Sequence, residues 1–123
     1  MHELSVCQAL LGQVAEIAER RGASAVERIT IEVGPLSGIE PGLLASAFAT
    51  LRAGGCAAQA RLSIESTGVS ISCLDCGERT PVEPNRLVCG ACGGFRTRII
   101  AGDELRLRGL ELRVRRPRSA STV

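Results

Sequence analysis

The chain contains no lysine, no tyrosine and no tryptophan, one histidine (His2), one methionine (Met1) and only two aromatic rings of the benzene type, Phe48 and Phe95. Each scarcity excludes something. All fifteen basic side chains are arginine, so the α-amine of Met1 is the only primary amine in the sequence. One histidine cannot build a Ser-His-Asp set, and neither a phosphate-binding loop nor a catalytic carboxylate pair is legible. The expectation is a protein without enzymatic activity. Few aromatic faces argue against base stacking on single-stranded nucleic acid. The formal charge of +2 is too small to mark a polyanionic partner. No apolar run approaches the length of a membrane span, and the N-terminus lacks the pattern of a signal peptide. The expectations are therefore no nucleic-acid partner, no membrane and a cytoplasmic location.

What is present is enough for one small domain carrying a smaller module: 123 residues, 45% of them apolar, with a core of Leu, Ile, Val and Ala. Residues 3–21 read as an amphipathic helix, with Leu4, Cys7, Leu11, Val14 and Ala18 as its stripe, widened by Leu10 and Ile17. Gly22 is its stop. Ser5 and Gln8 have capping-box spacing, which would leave Met1 to Glu3 outside the helix as an exposed arm. Residues 27–33 alternate as a strand with Ile29, Ile31 and Val33 inward. Pro41 opens a second helix whose stripe is Leu43, Leu44, Ala47, Phe48 and Leu51. A strand near 60–66 follows, giving a strand–helix–strand crossover. Residues 104–114 form a long strand whose apolar phase switches at Arg108-Gly109, the place for a β-bulge.

Between these lies a stretch rich in Gly, Cys and Pro, too poor in core to fold without a staple. Cys73-Leu-Asp-Cys76 and Cys89-Gly-Ala-Cys92 are two Cys-x-x-Cys knuckles separated by twelve residues, followed by Gly77 and Gly93. Four thiolates so arranged make the closed tetrahedral set of structural Zn(II). Iron is the competitor for four sulfurs. A redox dithiol needs a single pair at a helix N-terminus, which this stretch lacks. Cys7 and Cys56 read as small apolar residues. The expected fold is α+β: two helices on a small mixed three-stranded sheet, with an inserted zinc ribbon. Its parts are an α/β domain of residues 1–67 and 99–114, a zinc-binding domain of 68–98 and a disordered tail of 115–123.

Met1-His2-Glu3 is the other cluster with metal chemistry. An amine, adjacent backbone amides and an imidazole within three residues suit Ni(II) or Cu(II) in tetragonal nitrogen ligation. The plainer reading is an initiator methionine followed by an ordinary surface histidine. Met1-His2-Glu3-Leu4-Ser5, Glu32-Val33-Gly34-Pro35-Leu36-Ser37-Gly38, the two knuckles, and Gly102-Asp103-Glu104-Leu105 with Leu110-Glu111-Leu112 occur in that order. Together they closely resemble the HypA/HybF family of hydrogenase maturation proteins, over residues 1 to about 114.

The resemblance implies a nickel metallochaperone that serves the NiFe-hydrogenase large subunit together with a HypB-type GTPase. It implies nickel ligation by His2, by backbone nitrogens at His2 and Glu3, and in some states by the Met1 amine. A structural Zn(II) would sit at Cys73, Cys76, Cys89 and Cys92. Some relatives carry histidines beside the zinc cysteines where this chain has glycines, so no second imidazole is available from the same chain. Glu3, Glu40 or water would fill a remaining nickel position, and a weak homodimer stays open. Two rival readings are a zinc-ribbon nucleic-acid or transcription module and an iron or dithiol redox protein.

Overall fold

The computed structural model describes residues 2–114. Met1 and the expected tail of 115–123 lie outside them. Eight elements follow in order: α1 (His2–Arg20), β1 (Ala23–Val33), α2 (Pro41–Leu51), β2 (Arg61–Ser66), β3 (Val69–Cys73), β4 (Arg79–Val82), β5 (Thr97–Ala101) and β6 (Leu105–Val114). They form a mixed sheet of order β2-β1-β6 and an antiparallel sheet of order β4-β3-β5, so the α+β architecture with two helices holds.

The helix α1 buries Glu3, Cys7, Leu10, Val14 and Ala18, a run at steps of three and four. That stripe is rotated from the expected one. Leu10 is central, while Leu4 is 42% exposed and Leu11 only half-buried. The helix also starts earlier than the capping-box reading allowed. Ser5 and Gln8 lie inside α1, because Glu3, one turn before Cys7, already occupies the buried face. Gly22 closes it at φ 67°, its N–H donating to the Glu19 carbonyl at 3.1 Å.

In α2, Leu44, Ala47 and Phe48 are buried, whereas Leu43, expected in the stripe, is 54% exposed. The Arg52 guanidinium lies 4.8 Å from the Phe48 ring centroid and donates to the carbonyls of Ala58 and Ala60. One side chain thus binds the end of α2 to the turn before β2.

The strand β1 begins directly after Gly22, four residues earlier than its clean alternation suggests. Val26 and Ile29 are both buried with Glu27 and Arg28 exposed between them, a break of phase that masks the first half of the strand. Ion pairs run in opposite directions along β1 and β6: Glu32 with Arg106 at 3.2 Å, Arg28 with Glu111 at 3.8 Å and Glu27 with Arg113 at 2.8 Å. That is the order of an antiparallel pair. In β6 the half-buried positions change phase between Gly109 and Leu110, where the sequence places its switch.

The chain divides into two compact units. One holds the described residues up to 30, 42–63 and those from 107 on; the other holds 31–41 and 64–106. In the second unit, the core of the small antiparallel sheet is Ile71, Cys73 and Cys89, with Val82, Leu87 and Ile99 packed against them. Two backbone segments also touch there. The Gly34 N–H donates to the Glu104 carbonyl and the Leu36 N–H to the Gly102 carbonyl, both at 2.8 Å. A Cβ on Gly34 would strike the Gly102 carbonyl oxygen, and one on Gly102 would lie 2.9 Å from the Val69 Cα. Gly102 itself has φ 111°.

Candidate metal centres

Each knuckle is built by the same local hydrogen bonds. At the first, the N–H groups of Asp75 and Cys76 both donate to Cys73 Sγ at 3.4 Å, and the Gly77 N–H donates to the Cys73 carbonyl at 3.0 Å. At the second, Ala91 and Cys92 donate to Cys89 Sγ at 3.3 and 3.4 Å, and Gly93 to the Cys89 carbonyl at 3.0 Å. Gly77 and Gly93 adopt φ 79° and 76°, the left-handed turn that folds each chain back beneath its sulfur. The hairpin around β3 then brings the two knuckles together. All four sulfurs lie within 4.8 Å of one another, with Cys73 Sγ 3.6 Å from Cys92 Sγ and Cys76 Sγ 3.6 Å from Cys89 Sγ.

Four sulfurs at the corners of a tetrahedron about Zn(II), with zinc–sulfur bonds of about 2.3 Å, stand about 3.8 Å apart. The donor set therefore fits structural zinc, and four thiolates leave no open position for substrate. The electrostatics are already sorted between the first and second cysteine of each pair. Backbone N–H groups of Cys92 and Ala91 pull the Cys89 thiol down to about 6, and those of Cys76 and Asp75 pull Cys73 down as well. The Glu78 N–H pulls Cys76 the same way, but burial and the neighbouring sulfurs outweigh it and push that thiol up to about 12. Cys92 is likewise raised: the Gly94 N–H and the Cys76 sulfur lower it, but the Cys73 sulfur, burial and the Cys89 sulfur outweigh them.

The sequence reading missed the residues that seat this cluster. A Cβ on Gly94 would lie 3.2 Å from both Cys92 Sγ and Asp75 Oδ2, so the second glycine of Gly93-Gly94 is needed for closeness. Asp75 accepts from Arg96 at 3.2 Å, and Thr80 Oγ1 accepts from the Gly90 N–H at 3.1 Å. The tandem glycine was a visible signal; nothing local singled out Thr80 or Arg96.

At the other candidate, His2 is exposed at the first position of α1 and Glu3 is buried, at 8% exposure. The arm is thus not wholly solvent-facing: its carboxylate side belongs to the buried stripe. Among the described residues, the four cysteines are the only group of three or more His, Cys, Asp or Glu side chains able to hold a metal. Glu40 is exposed in the loop before α2. Cys7 is buried, which raises its thiol. Cys56 is half-buried in the turn after α2, where its carbonyl accepts from the Val26 N–H at 3.1 Å.

The family model for hydrogenase/urease nickel incorporation, the metallochaperone HypA, matches residues 1–112. The chain belongs to the HypA family. The hydrogenase maturation factor HypA of Aquifex aeolicus is 39% identical over 114 residues, covering 93% of this chain and 99% of that one. The HypA of Nitrosospira multiformis is also 39% identical, over 91% of this chain and 97% of its own. Among solved structures, the Ni metallochaperone HypA from Helicobacter pylori matches with a TM-score of 0.70 at 30% identity, over 92% of this chain and 98% of that one. A second HypA solution structure matches with a TM-score of 0.71 at 33% identity, over 91% and 96% of the two chains.

Membership in the HypA family bears out the resemblance read from the ordered motifs, and with it the role in nickel incorporation for hydrogenase maturation. It decides against the transcription-module reading, which rested on the knuckles alone. It also makes this a metallochaperone family, with nickel as cargo and the four-cysteine cluster as a structural zinc site.

Proposed function

We propose that the chain captures Ni(II) at its N-terminus through the His2 imidazole, the backbone nitrogens of His2 and Glu3, and the Met1 amine. The observation that carries this reading is the position of His2. The chain's only histidine stands exposed in the first turn of α1, where backbone N–H groups have no acceptor inside the helix. Those nitrogens become donors once deprotonated, as the first turn unwinds around the metal. A site at a chain end also releases its cargo more readily than a closed cage, which suits delivery. Glu3, Glu40 or water completes the coordination.

In this reading the nickel site belongs to an α/β domain of residues 1–67 and 99–114, and residues 68–98 form the zinc domain that Cys73, Cys76, Cys89 and Cys92 hold together. The chaperone works in the cytoplasm without catalysing a reaction of its own. It passes nickel by ligand exchange, in concert with a HypB-type GTPase, to the large subunit of a NiFe-hydrogenase.

The absence of lysine supplies a direct test. Amine-selective acylation modifies only Met1, and mass spectrometry verifies the single adduct. The reading expects acylated protein to lose nickel affinity by at least about tenfold, since one nitrogen donor is removed. Unchanged nickel binding by the fully acylated chain excludes the amine as a ligand.

A further inference from the structure

The small sheet β4-β3-β5 has one face turned to its core and one to solvent. Along β3, Val69, Ile71 and Cys73 are buried and Ser70 and Ser72 are half-buried on the opposite side. The register places three residues in one row across that outer face. Ser72 pairs with Arg79 of β4 on one side and with Arg98 of β5 on the other. Cross-strand partners share a face, so two guanidinium groups flank a serine hydroxyl, their Cα atoms about 10 Å apart at two strand spacings. Both arginines are exposed, and among the described residues neither forms an ion pair. Arg96 nearby is different, being held by Asp75 at 3.2 Å.

Aliphatic side chains stand in solvent beside this row. Leu74 continues the outward phase past Cys73; its N–H donates to the Arg96 carbonyl at 2.8 Å, and the residue is 54% exposed. Ile100 is 42% exposed, in the same outward phase as Arg98, and it falls at a register shift: Ile71 pairs with Ile99 and Ser70 with Ala101, so Ile100 is the extra residue of a bulge. The bulge leaves Ile100 without a direct cross-strand partner on β3. Arginines without carboxylate partners, set between exposed aliphatic groups, have the composition of a protein-binding surface.

We propose that this outer face docks an acidic segment of another polypeptide, one carrying aliphatic side chains beside its carboxylates. Charge complementarity selects that partner. Arg79 and Arg98 each offer a planar fork to a carboxylate, and Ser72 adds a hydroxyl donor between them. Leu74 and Ile100 receive the aliphatic groups. A nucleic acid would also satisfy the guanidiniums, but stacking successive bases needs several aromatic faces, and the module exposes one, Phe95 at 83%.

The test is an NMR titration of the full, zinc-loaded chain with the acidic peptide acetyl-ELLEELLEEL-amide. Its counterpart with every glutamate replaced by glutamine, and the oligonucleotide dT10, serve as comparisons. The proposal expects the acidic peptide to shift the backbone amides of Ser70, Ser72, Arg79 and Arg98. Affinity should fall roughly tenfold or more with the glutamine peptide and in the R79E/R98E double variant. Ile100→Ser should weaken binding while leaving zinc content and signal dispersion intact. Tighter binding of dT10 to the same amides would overturn the proposal in favour of nucleic acid. Shifts confined to other residues, no binding at millimolar peptide, or an R79E/R98E variant within twofold of wild type would overturn it outright.

Discussion

Single glycines show how differently one residue type can be constrained in this chain. Gly12 sits exposed inside α1 with nothing within 4 Å of where a Cβ would be, so its only effect on the helix is entropic. Gly12→Ala should raise stability by about 0.5–1 kcal/mol, read from the urea midpoint. Gly34→Ala should do the reverse. Its new methyl group would fall on the Gly102 carbonyl and displace two backbone segments, at a cost of about 3 kcal/mol. A Gly34→Ala chain as stable as wild type would mean the two segments separate easily. The sequence showed Gly34 only as one residue of the motif from Glu32 to Gly38. Its true constraint comes from Gly102, sixty-eight positions on, and no local pattern carries such a contact. At the zinc site, Gly94→Ala should lower zinc affinity with the cysteines untouched, since the added carbon would crowd Cys92 Sγ at 3.2 Å. Competition against a chromophoric chelator measures it.

Among the elements, the knuckle turns were legible because their signal is local: the ligand spacing and the following glycine lie within five residues. Of the residues that seat them, Gly94 shows only as the second of two glycines, and Thr80 and Arg96 carry no such signal. The start of α1 was not. Ser5 and Gln8 offer a plausible cap, but burial of Glu3 on the face shared with Cys7 and Leu10 extends the helix to His2. Local capping signals lose to packing of an amphipathic face. The extended helix has a consequence for nickel. Chelation through deprotonated backbone nitrogens at His2 and Glu3 is incompatible with a helical first turn, so nickel should unwind it. Amide signals of His2 to Ser5 should shift or vanish on adding Ni(II), with those from Val14 onward unmoved. An unaltered first turn in the nickel-loaded protein would leave only side-chain ligation. Of the two long strands, β6 was legible nearly end to end and β1 only in its second half, for a related reason. Phase breaks at Glu27-Arg28 and at Gly109-Leu110 interrupt the alternation that marks a strand, and pairing between β1 and β6 carries the backbone through both.

For the whole molecule, the two helices and the strands that flank them followed from apolar periodicity, and the four-cysteine cluster from ligand spacing. The zinc-bearing sheet buries only Val69, Ile71, Cys73 and Cys89, two of them zinc ligands, too little to offset the entropy of ordering it. Stripping zinc with a strong chelator should therefore collapse the NMR dispersion of β3, β4 and β5, while the helical signal of α1 and α2 in far-UV circular dichroism persists. Nickel should behave differently with pH. Its imidazole and amine donors bind only when free of protons, so protons compete more strongly as pH falls. Nickel affinity should therefore fall as pH is lowered, and an affinity unchanged with pH would contradict ligation by these groups. The measurement that bears most directly on nickel capture at the N-terminus is calorimetric titration of Ni(II) into the wild-type chain and into His2→Ala, both zinc-loaded. The account predicts stoichiometric binding by wild type and loss of high-affinity binding by His2→Ala, with the same zinc content in both. Equal nickel affinity in the two proteins would contradict it.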